Sequence, residues 1–310
     1  MRAGLSQQAS RPVKLARLKF ALLRTPGQSL APSNDAALAL FRRAAEGMGI
    51  EAELITAADL HRLEQFDGLL IRDHTRIDDY TFAFAQRAAE LGIALVDDPV
   101  SMHRCSSKLR QSELFEALGV PTPKTVVLTR ETLPLIPALL GLPCVIKEPE
   151  SSFSRGVHCV ASEAELVERV TALLTHTPAL IAQEFLPTGF DWRIGLVDRQ
   201  PIFACRYHMV PGHWQVVRDA GTPEYCEGRT EAVALVGVPS AVLAAARLAS
   251  NAIGDGFYGV DVKELDDRCV VIEVNDNPNV DAGHEDGVAR LELYEAVIGT
   301  IARRAFGARR

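Results

Sequence analysis

VDVKELDDRCVVIEVNDNPNV, residues 260–280, is the most informative stretch of the chain. It contains two apolar strands separated by an acidic turn at residues 266–268, which is the pattern of an antiparallel hairpin. Glu273 and Asn275 are two positions apart on the second strand, so their side chains point to the same face. If the turn is centred on its middle residue, Asp261 of the first strand lies directly opposite Glu273. The hairpin is therefore predicted to bring these three side chains together on one face.

The three side chains offer two carboxylates and one amide oxygen, which are hard ligands of the kind that Mg²⁺ or Mn²⁺ prefers. Their neighbours on both strands are apolar, among them Val260, Val262 and Val274. An acidic group within an apolar stretch requires a partner or a metal ion, because burying an uncompensated charge is costly. The pattern favours a magnesium or manganese site, and the alternative is the solvated face of an exposed hairpin.

Two lysines precede the hairpin in positions that suit anion binding. Lys147 ends the apolar strand CVIK, and the small, hydroxyl-rich loop SSFSRG follows at residues 151–156. A lysine in an apolar strand loses hydration unless it meets an anion, and the backbone N–H groups of such a loop can lie over phosphates. Lys108 opens a predicted helix directly after two serines. The alternatives are an ordinary surface turn for the loop and a solvated side chain for Lys108.

A further apolar strand, ALIAQEFLP, ends in Gln183, Glu184, Phe185 and Leu186. Backbone groups at such a strand end can bind the edge of a purine, and Glu184 can accept a hydrogen bond from a ribose hydroxyl. The alternative is a strand that simply enters a loop.

Another hairpin is predicted around a turn at residues 198–200. Asp191 and Arg193 share one face of its first strand, and the predicted register places Arg206 of the second strand opposite Trp192. Arginines near a phosphate neutralise the charge that develops during transfer, which makes Arg193 and Arg206 candidates for catalysis. The alternative is a surface charge ladder.

The composition limits the classes of protein that fit. The chain has 310 residues, a formal net charge of −7 and 47% hydrophobic residues, so it can bury a full core and is not a general nucleic-acid binder. No apolar run approaches the ~20 residues of a membrane span. The six cysteines are scattered without a CxxC pair, which predicts reduced thiols in a cytoplasmic protein. The basic, acid-free residues 1–18 are predicted to form a flexible leader.

Three structured units follow the leader. Residues 19–104 alternate strand and helix, which predicts an α/β domain with a parallel sheet. Residues 105–186 are predicted to form a small α+β domain. Residues 187–310 are predicted to be richer in β structure and to contain both hairpins. The motif Gly254-x-Gly256-x-x-Gly259 follows a predicted helix and precedes a strand, which is the reverse of the order in a dinucleotide-binding site.

The order of these features along the chain resembles the ATP-grasp superfamily of carboxylate–amine ligases, and within it the RimK-type ligases. The resemblance covers roughly residues 100–300 and is carried by stretches such as PTPKTVVL, FSRGV, AQEFLPTGFDWRIG, GFYGVDVKE and VIEVNDNPNVDAGHED. It implies an α/β (α+β) ATP-grasp fold. Residues 19–104 would be the N-terminal pre-ATP-grasp domain, residues 105–186 the central lid domain, and residues 187–310 the C-terminal domain with the metal and ATP site.

The resemblance also implies roles for individual residues. Arg206, Lys147 and Arg193 would be catalytic. The metal ligands for Mg²⁺ (or Mn²⁺) would be Asp261, Glu273 and Asn275. The residues that bind ATP would be Lys108, Lys147, Ser151, Ser152, Ser154, Arg155, Gly156, Gln183, Glu184, Phe185, Leu186 and Asp191.

The implied reaction is an ADP-forming ligation of a small carboxylate to an amine through an acyl phosphate. The acid would be an amino acid such as glutamate, and the acceptor would be a small amine, a peptide or a protein. The resemblance implies neither a nucleic-acid nor a membrane partner, and it is compatible with a homo-oligomer. The sequence leaves two alternatives open, an ATP-grasp phosphotransferase and a nucleotide-binding protein without turnover.

Overall fold

The computed structural model describes residues 17–27, 31–151, 156–218 and 226–308. Most of the predicted leader, residues 1–16, lies outside the described residues. The unit proposed as the first domain, residues 19–104, has a parallel sheet in the order β2-β1-β3-β4, as the strand–helix alternation predicts. Its strands are β1 (Lys19–Leu23), β2 (Glu51–Ile55), β3 (Gly68–Ile71) and β4 (Ala94–Val96).

Three α-helices accompany this sheet: α1 (Asp35–Gly47), α2 (Tyr80–Glu90) and α3 (Pro99–Cys105). Helix α1 begins after Asn34, whose side chain caps it by accepting a hydrogen bond from the Ala37 N–H at 2.9 Å. Helix α3 was not predicted, because its seven residues are too few to show a helical period. It begins after Asp98, a capping residue, with a proline at the first helical position.

The second domain has an antiparallel sheet in the order β5-β8-β6-β7, formed by β5 (Thr125–Leu128), β6 (Cys144–Lys147), β7 (Val157–Val160) and β8 (Leu180–Glu184). Helices α5 (Ile136–Leu140) and α6 (Glu163–Leu173) pack against this sheet. Phe115 of helix α4 (Lys108–Leu118) belongs instead to the hydrophobic core that contains Trp192 and Ala246. Helix α4 ends at Gly119, whose φ of +67° is the left-handed conformation that glycine adopts without strain.

The third domain has a five-stranded sheet in the order β13-β10-β9-β14-β15. Its strands are β9 (Phe190–Val197), β10 (Gln200–His208), β13 (Thr230–Val233), β14 (Phe257–Glu264) and β15 (Cys269–Asp276), with a separate two-stranded ribbon of β11 (Val217–Arg218) and β12 (Cys226–Glu227). Helix α7 (Ser240–Ile253) covers one face of the sheet, and helix α8 (Leu291–Ala308) packs between the other face and the first domain.

Both predicted hairpin registers hold near the candidate residues. Asp261 pairs with Glu273, as predicted, although a bulge follows directly at residues 261–262. Arg206 pairs with Trp192, also as predicted. The first turn is shorter than expected, because Asp198 and Arg199 alone form it with φ values of 49° and 66°. A register shift between residues 201 and 203 restores the predicted pairing further along the strands.

The two hairpins lie side by side, because β9 pairs with β14. This pairing places Arg193 directly opposite Asp261. One face of the shared sheet therefore carries Asp261, Glu273 and Arg193, and the opposite face packs Trp192 and Val260 against α7.

Among the described residues, none of the helices combines the length and the apolar character needed to cross a membrane.

Candidate active site

Two adjoining cavities lie where the three domains meet. One has a volume of about 150 Å³ and is formed mainly by the second and third domains. The other has a volume of about 610 Å³ and extends to the first domain. Both are lined by Lys108, Arg193, Tyr207, Asp261 and Glu273. These five polar side chains, together with Val216, form the junction between the cavities.

The smaller cavity combines an apolar wall with several charged groups. Its apolar lining includes Val145, Phe185, Leu186, Trp214 and Ile272. The ring of Trp214 meets that of Phe185 edge to face, with centroids 5.8 Å apart. Its polar lining includes Lys147, Gln183, Glu184, Asp191 and Lys263 in addition to the junction residues. An apolar slot with charges at one end suits a ligand that has a flat base and a phosphate chain.

Lys147 is the last residue of β6 and is 8% exposed. Burial lowers the pKa of its ammonium group to about 8. Lys108 is the first residue of α4, and its Nζ atom donates to the Ser151 carbonyl and lies 3.6 Å from Oε2 of Glu273. The two lysines therefore bring positive charge to the junction.

The loop after Lys147 is described only at its ends. Gly156 has a φ of +62°, a backbone conformation that favours glycine. Ser151 donates from its hydroxyl to the Glu148 carbonyl at 2.9 Å. Ser152, Ser154 and Arg155 lie outside the described residues.

The carboxylate pair is surrounded by positive charge. Arg193 holds Asp261 through two hydrogen bonds, from Nε to Oδ1 at 2.5 Å and from Nη2 to Oδ2 at 2.9 Å. Burial raises the pKa of Asp261 to about 6, against the opposing effect of Arg193. Burial alone would also raise the pKa of Glu273, but the charges of Lys108, Lys147 and Arg193 lower it.

The three predicted metal ligands are neighbours in the sheet. Asn275 donates from Nδ2 to Oδ2 of Asp261 at 3.2 Å, and Asp261 pairs directly with Glu273 across the strands. Within the described ranges, no group of three or more His, Cys, Asp or Glu residues could hold a metal ion. Two carboxylates and one amide fit a hard divalent cation only if phosphate and water oxygens complete its ligand shell.

Other predicted nucleotide ligands make contacts that fix them in place. Glu184 accepts from the Lys124 N–H at 2.7 Å and from Nη2 of Arg268 at 2.9 Å. Asp191 accepts from Nζ of Lys263 at 2.6 Å. Gln183 donates to the Thr125 hydroxyl at 3.0 Å. All three predicted residues line the smaller cavity.

Arg206 does not reach the junction, which corrects its predicted role. Its guanidinium lies over the rings of Trp192 and Phe190, 4.8 and 5.1 Å from their centroids. Trp192 belongs to the core beneath α7, on the face of the sheet opposite Asp261. Since successive side chains of a strand alternate between faces, it is the next residue, Tyr207, that faces the cavities.

Sequence reasoning missed Tyr207 and Lys263. Tyr207 packs on Arg193, 5.0 Å from ring centroid to guanidinium, and donates to Oε1 of Glu285 at 2.6 Å. Lys263 is two positions from Asp261 on β14 and binds Asp191. The alternation of strand side chains relative to Asp261 and Arg193 is the signal that points to both.

Replacing Arg206 with methionine should change the turnover number by no more than about threefold, because methionine can keep the contact with the two rings. Replacing Tyr207 with phenylalanine should lower turnover about tenfold, because it removes the hydrogen bond that orients the ring beside Arg193. Steady-state kinetics of both variants tests whether Tyr207, and not Arg206, lies on the face of the sheet that lines the cavities. A loss of more than a hundredfold in the Arg206 variant with full activity in the Tyr207 variant would contradict it.

The larger cavity receives residues from the first domain. His74, Thr75 and Arg76 follow β3 and line it from that side, and Asp276 and Glu285 line it from the third domain. Its volume of about 610 Å³ is sufficient for small organic substrates next to the junction.

Comparisons with known proteins agree with this architecture. No profile of a known protein family matches the chain. In sequence, it is 26% identical over 225 residues to a probable alpha-L-glutamate ligase of Vibrio atlanticus, an alignment that covers 71% of each chain.

Solved structures share the fold over nearly the whole chain. A RimK domain protein of the ATP-grasp type from Sphaerobacter thermophilus has a TM-score of 0.67 and 20% identity, and the match covers 91% of this chain and 98% of that one. The ATP-grasp ligase PsnB, solved with a variant of its minimal precursor, Mg and ADP, has a TM-score of 0.64 and 16% identity, covering 93% and 98%. The protein therefore has the ATP-grasp fold, as predicted. Within this class, the relatives in sequence and structure confirm its resemblance to the RimK-type ligases.

Proposed function

We propose that the protein is an ATP-dependent, ADP-forming ligase that joins a carboxylate to an amine. The observation that carries this proposal is the junction of the two cavities, where Lys108, Arg193, Asp261 and Glu273 line both. A nucleotide in the smaller cavity and a carboxylate in the larger one would meet at that point. The names of the relatives, which are ligases of the ATP-grasp type, support the same activity.

In this proposal the base of ATP enters the smaller cavity and lies against its apolar wall. The cavity volume of about 150 Å³ is too small for the whole nucleotide, so the phosphates extend into the junction, towards Lys108 and Lys147. The ends of the loop, Ser151 and Gly156, lie beside the phosphates. The remaining nucleotide contacts come from Gln183, Glu184, Phe185, Leu186 and Asp191, and we keep Ser152, Ser154 and Arg155 as proposed contacts from the sequence.

Asp261, Glu273 and Asn275 are the proposed ligands of Mg²⁺ (or Mn²⁺). Such an ion would neutralise the negative charge that develops on the phosphates during transfer. Arg193 stands beside these ligands and is the proposed catalytic arginine, since its charge would stabilise the transferred phosphoryl group. Lys147 is kept in the catalytic set for the same reason.

The chemistry follows from the poor leaving ability of a carboxylate oxygen. A carboxylate oxygen attacks the γ-phosphorus of ATP, the bond to ADP breaks, and an acyl phosphate forms. The amine then attacks the acyl carbon, phosphate leaves, and an amide remains. The residues of the second domain that cover the smaller cavity would exclude water, which would otherwise hydrolyse the acyl phosphate.

The proposed acid is an amino acid such as glutamate, which rests on the name of the relative in sequence. The acceptor is a small amine, a peptide or a protein. The proposed reaction involves neither a nucleic acid nor a membrane. The cytoplasmic location and the homo-oligomer predicted from the sequence remain proposals.

The test is ADP release from Mg-ATP with pooled amino acids and small peptides, with mass spectrometry of the products. We expect ADP together with a new mass equal to acid plus amine minus water. A phosphorylated product without an amide would indicate a phosphotransferase. If nucleotide bound without any turnover, even with larger peptide acceptors, the protein would be a nucleotide-binding protein only.

A further inference from the structure

Two buried polar residues of the first domain contact the hairpin of β14 and β15, which carries the proposed metal ligands. They contact it at its open end, which is the end opposite the turn. Asp97, which follows β4, is 2% exposed, and Arg72, which follows β3, is fully buried. Neither residue is among the predicted site residues. Both contact the chain at Asn277, two positions beyond Asn275.

The carboxylate of Asp97 bridges the two strands. Its Oδ1 atom accepts from the N–H of Phe257, where β14 begins, and its Oδ2 atom accepts from the N–H of Asn277 at 2.8 Å, just after β15. The last paired residues of the hairpin are Tyr258 and Asp276. Asp97 therefore joins the strands one position beyond their last pair and prevents the open end from separating.

Arg72 fixes the side chain of the same asparagine. Its Nη1 atom donates to Oδ1 of Asn277 at 2.6 Å, and its Nη2 atom donates to the Pro278 carbonyl at 2.9 Å. The amide nitrogen of Asn277 donates in turn to the Asp73 carbonyl at 2.7 Å. Asn277 is thus held through both its side-chain atoms and its backbone, in a left-handed conformation with φ of 47°.

Arg72 is also anchored within its own domain. It donates to the Pro32 carbonyl at 2.5 Å and to the Ser33 hydroxyl at 3.0 and 2.8 Å. Among the described residues Arg72 forms no ion pair with a carboxylate, although the charges of Asp281 and Asp97 act on it. A buried guanidinium without such a pair is costly, and its hydrogen bonds to four oxygen-bearing residues offset that cost.

We infer that Asp97 and Arg72 are positioning residues for the metal ligands on β14 and β15. The bulge beside Asp261 makes the register locally irregular, and a slip of one residue would turn Asp261 or Glu273 to the other face. Fixing the open end from the first domain keeps the two carboxylates opposed. This inference rests on the proposed metal site.

The test compares ADP binding with Mn²⁺ and with EDTA by isothermal titration calorimetry. The wild-type protein should bind ADP more tightly with Mn²⁺, and this enhancement should fall about tenfold in Asp97→Asn and in Asn277→Gly. Affinity in EDTA should stay within about twofold, because neither residue lines the smaller cavity. Asn277→Gly is expected to fold, since glycine accepts a positive φ.

Asp79→Ala is the matched control, because it removes the N-cap of α2 in the same domain without touching the hairpin. It should lower the melting temperature by a few degrees and leave the Mn²⁺ enhancement unchanged. An unchanged enhancement in both folded test variants would overturn the inference. Absence of any enhancement in the wild-type protein would instead contradict the proposed metal site.

Discussion

Replacing Glu273 with glutamine should lower Mg²⁺-dependent ADP formation by about a thousandfold. Glutamine keeps the size of the side chain and removes the charge that the proposed ion requires, and the loss of several kcal/mol of electrostatic stabilisation corresponds to this factor. Glu273 lies in a position where Lys108, Lys147 and Arg193 lower its pKa, so it is ionised at neutral pH and available as a ligand.

The measurement is ADP release over a range of Mg²⁺ concentrations. Asp266→Asn is the control, because it changes the net charge equally at an exposed position in the turn of the same hairpin. It should have wild-type activity. Equal activity in the Glu273 variant and the wild-type protein would refute the metal assignment, whereas activity restored by much higher Mg²⁺ would support it.

Replacing Lys147 with methionine should weaken ADP binding about a hundredfold, because the proposed site loses a buried positive charge beside the phosphates. The same change should leave the melting temperature of the empty protein unchanged or raise it. Burial disfavours the ammonium group in the empty site, and an apolar side chain of similar length removes that cost. Weaker ADP binding together with an unchanged or higher melting temperature would show that Lys147 serves ligand binding and not the stability of the fold. A variant that binds ADP normally would remove Lys147 from the site.

The pKa of about 8 at Lys147 gives this assignment a pH test. Below pH 8 the ammonium form is present before the nucleotide arrives. Above pH 8 binding must also take up a proton, so the affinity for ADP should fall by up to about tenfold per pH unit. Lys147→Arg remains charged throughout and should lose this dependence between pH 7 and 9. An equal decline in both proteins would assign the titration to another group.

The candidate site was predictable where its geometry is local. Asp261 and Glu273 are twelve residues apart on one hairpin, so the turn and the alternation of side chains place them opposite each other. Gly156 and Lys147 were likewise indicated by a short stretch of sequence. In each case the residues that set the geometry are close neighbours along the chain.

Arg206 shows where such reasoning stopped. Its partner Trp192 was predicted correctly, but the face on which this pair lies relative to Asp261 depends on the pairing of β9 with β14. No short-range pattern specifies that pairing, because fifty-nine residues, 198–256, lie between the two strands. Tyr207 and Lys263 were missed for a different reason, because strand alternation was not extended from Arg193 and Asp261 to their neighbours on the same faces. Only their contacts with Arg193 and Asp191 depend on tertiary structure.

The sequence by itself determined the hairpin that carries the carboxylates, the strand–helix alternation of residues 19–104, the strand that buries Lys147 and the resemblance to RimK-type ligases. Each follows from turn chemistry, side-chain periodicity or a motif confined to a few residues. Only the tertiary structure decided that Arg193 faces Asp261, that Arg206 does not, and that Asp97 and Arg72 hold the end of the hairpin. These contacts join residues up to about two hundred positions apart, and their formation depends on how whole domains pack, which no local pattern encodes.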